Sequence, residues 1–215
     1  MDLPILVLPY SVSNQKEQYY QYFWDARNRI IEFTKKHNWS YYTTEPFIKH
    51  ARIFDKKSDF DDELVKIFNL EPETVIPPTY CAILEKESLY IVTPEIYHSI
   101  YPEGHEIDSY VKLIVHEIAH HLHIRLLLGN EDSMGPIWFY EGFAIYVADQ
   151  FSKIKNSLSN SEIKSILFDL QRTSYKKYKM LFEIVTGKIP LDKLVQKAKE
   201  RDFSNWVYEK INEGK

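Results

Sequence analysis

The chain has 215 residues, of which 44% are hydrophobic and 27% charged, a balance typical of a globular protein with one buried core. The formal net charge is −4 and the 27 basic residues are spread along the chain, which argues against a nucleic-acid-binding surface. Six glycines beside 16 tyrosines and 12 phenylalanines argue against a turn-rich all-β fold.

The compartment is indicated by segments that the sequence lacks. No run approaches the roughly 18 apolar residues of a membrane span, and the apolar start is too short and too broken by Pro4 and Pro9 for a signal peptide. The single cysteine, Cys81, cannot form an internal disulfide, and its apolar neighbours indicate a buried side chain rather than a nucleophile. We therefore expect a cytoplasmic protein with no membrane or nucleic-acid partner, and the sequence leaves its oligomeric state open.

The first half of the chain predicts helices around a small sheet. In chain order we expect a long amphipathic helix at about 14–38, a strand at 47–54, a helix at 60–69, and strands at 80–84 and 89–92. The charged residues 85–87 between the last two strands suit a hairpin or two neighbouring strands. Pro94, Pro102 and Gly104 then predict a loop.

The second half predicts mostly helices. One begins near Asp108 or Ser109, another has Pro136 in its first turn, and two or three more follow from about Ser161, with breaks at 187–190 and near 202–204. No linker or internal repeat is visible. We therefore expect a single α+β domain over residues 1–215.

The motif that carries chemistry is His116-Glu117-Ile118-Ala119-His120. On a helix, residues four apart point the same way about one turn apart, so His116 and His120 can bind one zinc ion while Glu117 reaches the zinc-bound water. The surrounding helix is apolar nearly all round and is therefore expected to be buried. Two histidines and a glutamate are costly inside such a helix without partners, and a metal supplies them.

A third ligand is offered by the segment Trp138-Phe139-Tyr140-Glu141-Gly142-Phe143-Ala144-Ile145-Tyr146. If this segment is helical, Ala144, Ile145 and Ala148 share a face with Glu141, and the small residues allow close packing against the histidine helix. Glu141 would then complete a site of two histidines and one carboxylate, with a fourth position open for water.

His-Glu-x-x-His followed by Trp-x-x-Glu-Gly-x-Ala-x-Tyr resembles the gluzincin zinc metallopeptidases, the superfamily of thermolysin and the zinc aminopeptidases. The likeness covers about residues 110–149. It implies a zincin-like fold with a long N-terminal helix, a small mixed sheet with an antiparallel edge strand, an active-site helix and C-terminal helices. The strand at 89–92 falls where such enzymes keep the edge strand that binds substrate. The Gly-x-Met-x-Asn segment of the aminopeptidases is absent, so their specificity is not implied.

The resemblance also implies a mechanism, in which zinc activates a water molecule and Glu117 is the general base that hydrolyses a peptide bond in a peptide or protein substrate. Relatives place a tyrosine beyond the glutamate motif to stabilise the oxyanion. Tyr175 and Tyr178 are the candidates here. Tyr175 is preferred because Ser-Tyr ahead of a helix that ends near Gly187 matches the relatives' pattern more closely.

Other interpretations stay open at this point. The chain could be a non-catalytic gluzincin-fold binding or regulatory module, although such a module has no need of Glu117. It could also be a zinc hydrolase of a non-peptide amide or ester, which would use the same residues. His121 and His123 are weaker ligand candidates, because helical geometry directs His121 away from His120 and places His123 about 10 Å along the axis from His116. The natural substrate, and exo- against endo-cleavage, do not follow from the sequence.

Overall fold

The computed structural model describes residues 3–154, 157–172 and 174–213, apart from the side chain of Glu103. These residues form a mixed α+β chain with two compact units. The first comprises Met1–Arg29 with Thr44–Ile118, and the second Ile30–Thr43 with Ala119–Lys215. The ends and interruptions of the predicted domain 1–215, namely 1–2, 155–156, 173 and 214–215, lie outside the described residues.

The first unit contains a four-stranded mixed sheet. Its strands are β1 (Ile5–Val7), β2 (His50–Phe54), β3 (Ala82–Glu85) and β4 (Ser88–Val92), in the order β1-β2-β4-β3. β1 and β4 both pair with β2 in parallel, and β3 pairs with β4 antiparallel, Leu84 lying opposite Leu89. The predicted hairpin and the antiparallel edge strand are therefore confirmed.

The identity of that edge strand was predicted wrongly. The segment 89–92 was expected at the edge, but it lies in β4, an internal strand between β2 and β3, and the edge is β3. Leu89, Ile91 and Val92 are completely buried. An uninterrupted apolar run of this kind is typical of a strand covered on both faces, which is the physical reason for its internal place.

In the first unit, helices alternate with the strands along the sequence. They are α1 (Lys16–Lys36), whose last third, from Ile30, belongs to the other unit, α2 (Lys57–Ile67) and α3 (Pro94–Ile100). The predicted loop after β4 is wrong at its start, because Pro94 opens α3. Proline suits the first position of a helix, where its missing N–H needs no partner, so here it begins a helix instead of excluding one.

Helix α4 (Ser109–Leu126) begins where the sequence predicts and carries the histidine motif. Its first turn is fixed by a hydrogen bond from the Tyr110 hydroxyl to the carbonyl of Val92, at 2.9 Å. Lys112, two residues after Tyr110, is buried and forms an ion pair with Glu106 at 3.0 Å. The bond from Tyr110 holds the start of α4 at the end of β4, one to two turns before His116.

The second unit is helical over its described residues. It contains α5 (Ile137–Val147), α6 (Asn160–Phe168), α7 (Tyr175–Thr186), α8 (Leu191–Lys197) and α9 (Phe203–Asn212), so four helices follow residue 160 where two or three were expected. Ser159 and Glu162 form a capping box that starts α6. Aromatic rings form much of the core: Trp138 stacks on Phe203 at 5.6 Å and Phe139 on Phe182 at 5.6 Å. None of the helices in the described part of the chain has both the length and the apolar character needed to cross a membrane.

Helix α5 is held close to α7 at Gly142. A Cβ atom at this position would lie 2.7 Å from Cδ2 of Phe182, whose side chain is completely buried. The absence of a side chain at Gly142 therefore sets the distance between the helix that carries Glu141 and its neighbour.

We expect Gly142→Ala to destabilise the protein although alanine is the better helix former. Alanine gains about 1 kcal/mol in helix propensity, but overpacking a closed core costs about 1–3 kcal/mol, and Phe182 has no solvent to turn into. The net loss should be roughly 1 kcal/mol in the free energy of unfolding, measured by urea titration. In a Phe182→Leu background the same substitution should cost less, because the clashing ring atoms are removed; a Gly142→Ala protein as stable as the parent would contradict this packing.

Candidate metal centre

The two motif histidines lie on one uninterrupted helix. His116 is 6% exposed, and the side chain of His120 is 21% exposed. Val115 and Ala119 beside them are completely buried. Helix α4 is therefore apolar around the histidines, as expected from the sequence, and it presents His120 at a more accessible position than His116.

Glu141 lies in the second turn of α5 and is 2% exposed. Its Oε2 atom is 3.8 Å from Nε2 of His120. One ligand atom each from His116, His120 and Glu141 can be chosen so that all three lie within 4.8 Å of one another. The structure thus brings together the three residues that the sequence singled out as ligands.

The chemistry of this donor set fits zinc. Two imidazole nitrogens and one carboxylate oxygen are the ligands of a common class of zinc site. Tetrahedral zinc places neighbouring ligand atoms roughly 3.4 Å apart, so the observed separations need only side-chain adjustment. A buried carboxylate also favours a cation as its neighbour, since an ionised group out of water is costly without one.

Arg172 is a fourth residue at this centre, and sequence reasoning missed it. Its Nη2 atom lies 2.7 Å from Oε1 of Glu141, and its guanidinium also forms a hydrogen bond with the hydroxyl of Tyr140. Burial raises the pKa of Tyr140, and the bond with Arg172 acts in the opposite direction. Tyr140 in turn lies edge-on to the ring of His120, with centroids 5.9 Å apart. Arg172 follows α6 in an irregular segment, where no periodicity marks it in the sequence.

Glu117, the predicted general base, is partly exposed, between the two histidines on α4. Burial raises the pKa of the Cys81 thiol to about 12, Lys57 acts against this, and the negative charge of Glu117 contributes to raising it. Cys81 is 3% exposed, which confirms the prediction of a buried side chain. A thiol held protonated in this way is a poor nucleophile.

The two candidate tyrosines differ in their surroundings. Tyr175, the first residue of α7, is partly exposed, and its hydroxyl lies 3.5 Å from Nη1 of Arg172. Tyr178 is 1% exposed, and its hydroxyl donates a hydrogen bond to the carbonyl of Gln171 at 3.4 Å. Tyr175 is therefore connected to Glu141 through Arg172.

His123 lies on α4 one turn beyond His120 and is completely buried. Its ring contacts Phe139 and Phe143, at centroid distances of 5.5 and 4.7 Å. Neither ring nitrogen has a hydrogen-bond partner among the described residues. Burial lowers the pKa of His123 to about 3. The residue belongs to the aromatic core and does not join the ligand group, in keeping with the sequence interpretation.

The chain was compared with protein-family models, with curated proteins and with solved structures, and no match was found. The resemblance to the gluzincins therefore depends on the motif residues alone.

We expect His123 to make the protein sensitive to acid. Its pKa in the folded state lies below the unfolded value near 6.5, so the unfolded chain takes up the proton first as the pH falls. The stability contributed by a neutral His123 is complete above pH 6.5 and decreases towards pH 3, by about 1.4 kcal/mol for each pH unit. His123→Leu should remove this dependence, so that between pH 7.5 and pH 5 the variant loses about 2 kcal/mol less than the parent.

The measurement is urea unfolding at several pH values, with EDTA present so that metal release does not contribute. His50→Gln, at an exposed position on β2, is the control and should follow the parent. Parallel pH profiles for the parent and His123→Leu would show that His123 is not the cause of the acid sensitivity.

Proposed function

We propose that the protein is a zinc-dependent peptidase in which His116, His120 and Glu141 bind the metal and Glu117 is the general base. The observation that carries the proposal is the meeting of the three ligand atoms within 4.8 Å, with Glu117 next to His116 on the same helix. Among the described residues the group has three members. Three protein ligands are typical of catalytic zinc, whereas structural zinc usually has four.

The chemistry divides between the metal and the chain. Bound zinc would supply a Lewis acid and a water molecule of lowered pKa. Glu117 would take the proton of the attacking water and deliver it to the leaving amine. Its partial exposure allows it to reach a substrate, and it is not a member of the ligand group.

Tyr175 is the proposed donor to the oxyanion that forms at the substrate carbonyl. Two observations favour it over Tyr178. Its side chain is partly exposed at the start of α7, whereas Tyr178 is buried, and the hydroxyl of Tyr178 already donates to a backbone carbonyl.

The proposed partner is a peptide or protein substrate, and the proposed metal is zinc. A hydrolase of a non-peptide amide or ester would use the same residues, and a binding module would not need Glu117. The proposed compartment is the cytoplasm, whose reducing conditions suit a chain with one buried thiol.

We expect the purified protein to bind about one zinc ion per chain, as a three-ligand site requires. His116→Ala and Glu141→Ala should lose most of this zinc. Glu117→Gln should keep it, because Glu117 is not a ligand, but should cleave peptides more slowly by roughly 100- to 10,000-fold, the usual contribution of a general base. Metal content is measured by plasma mass spectrometry, and cleavage by mass spectrometry of a diverse peptide library.

The controls separate the alternatives. Full zinc with no Glu117-dependent cleavage of any peptide would leave a non-peptide substrate or a binding module. Zinc retained by both ligand variants would reject the site, and an active Glu117→Gln enzyme would reject the base.

Tyr175→Phe and Tyr178→Phe form a matched pair for the oxyanion role. Removing an oxyanion donor costs roughly 100- to 1000-fold in kcat, so we expect Tyr175→Phe to lose activity on this scale with zinc content unchanged. Tyr178→Phe removes a hydrogen bond to Gln171 and should affect stability by about 1 kcal/mol and kcat little. Steady-state kinetics on a cleaved peptide distinguish the two, and a larger kcat defect in Tyr178→Phe would reverse the assignment.

A further inference from the structure

The two oxygens of Glu141 meet different partners. Oε1 is 2.7 Å from Nη2 of Arg172, and Oε2 is 3.8 Å from Nε2 of His120. The first distance is that of a charge-assisted hydrogen bond. The second is too long for a hydrogen bond but short enough for both atoms to reach one metal ion. The carboxylate is thus oriented, with one oxygen held by Arg172 and the other directed towards the histidines.

Arg172 is itself fixed by more than one contact. Besides Glu141 it binds the hydroxyl of Tyr140, and its Nη1 lies 3.5 Å from the hydroxyl of Tyr175. Tyr140 and Glu141 are neighbours on α5, while Tyr175 begins α7. The planar guanidinium, with donors in fixed directions, therefore connects the irregular segment before α7 to the turn of α5 that carries the ligand.

We infer that Arg172 is a positioning residue for the metal centre: it holds Oε1 of Glu141 so that Oε2 alone is presented as the ligand. This inference rests on the metal site of the proposed function. Metal ligands are commonly oriented by such outer partners, whose loss costs roughly 10- to 100-fold in metal affinity. The positive charge of Arg172 also repels a metal ion, but its side chain is 38% exposed and water screens that repulsion. Glu141, at 2% exposed, has no comparable solvent to orient it. The orienting effect should therefore dominate.

The test measures metal affinity and coordination in the full-length protein without using activity. Zinc affinity is measured by competition with a chelator at pH 7.5, and Co²⁺ is added to the metal-free protein so that its visible absorption reports the ligand geometry. Arg172→Gln should bind zinc roughly 10- to 100-fold more weakly and give an altered Co²⁺ spectrum. Arg172→Lys keeps the charge but not the fork of donors, and should recover part of the affinity.

Two controls isolate the contact with Glu141. Arg52→Gln removes a similar pair, Arg52 with Glu63 at 2.8 Å on β2 and α2, and should leave zinc binding unchanged. In a Glu141→Gln background, Arg172→Gln should have little further effect on affinity, because the two residues act as one unit. Circular dichroism verifies folding, and Arg172→Lys carries the test if Arg172→Gln does not fold.

The outcomes separate this inference from the proposed function. Unchanged zinc affinity and Co²⁺ spectrum in both Arg172 variants would overturn the inference alone. Tighter zinc binding in Arg172→Gln would also overturn it, and would show that the arginine competes with the metal. A parent protein that binds neither zinc nor Co²⁺ would overturn the proposed function and this inference together.

Discussion

The centre depends on a carboxylate that is almost completely removed from water. Glu141 is 2% exposed on α5, where Phe139, Phe143 and Ala144 are completely buried. An ionised group in such surroundings costs several kcal/mol unless charged or polar partners compensate it. Arg172, whose Nη2 lies 2.7 Å from Oε1, supplies part of that compensation, whereas the Nε2 atom of His120 is 3.8 Å from Oε2, beyond hydrogen-bond distance. The packing of α5 therefore removes water from the Glu141 carboxylate, and the ionised form depends on the polar and charged groups around it.

Local patterns predicted the parts of the structure that are local. The histidine motif, the start of α4, the helix around Glu141 and the hairpin of β3 and β4 depend on residues close together in sequence, and the structure has all of them. The apolar run of β4 is in keeping with an internal strand, but its parallel partner β2 is a distant segment that the run does not identify. Arg172 was missed for the same reason: a single arginine in an irregular segment carries no pattern, and its role appears only when α5 lies beside it.

The histidines of α4 show how one helix separates two chemistries. His116 and His120, four residues apart, share the side that meets Glu141, whereas His123 meets the rings of Phe139 and Phe143. Helical rise places His123 about 10 Å along the axis from His116, which makes it a weaker ligand candidate. It does not reveal that the ring is fully buried, because that depends on α5. Acid acts on both environments in the same direction, since metal ligation requires neutral imidazole and so does burial without a partner.

The number of candidate metal ligands helps to distinguish a catalytic metal site from a purely structural one. In the described part of the chain, three side chains form the candidate ligand group, and the guanidinium of Arg172 pairs with one of them, Glu141. A guanidinium stays protonated and has no lone pair to offer, so it cannot serve as a fourth ligand. In the proposed site, Arg172 on Oε1 of Glu141 would orient a ligand without closing the coordination sphere. A structural zinc site gains its folding energy from a closed sphere of four protein ligands. An ion pair that orients one of three ligands therefore favours the proposed catalytic site, which leaves a position open for water and substrate, over a purely structural one.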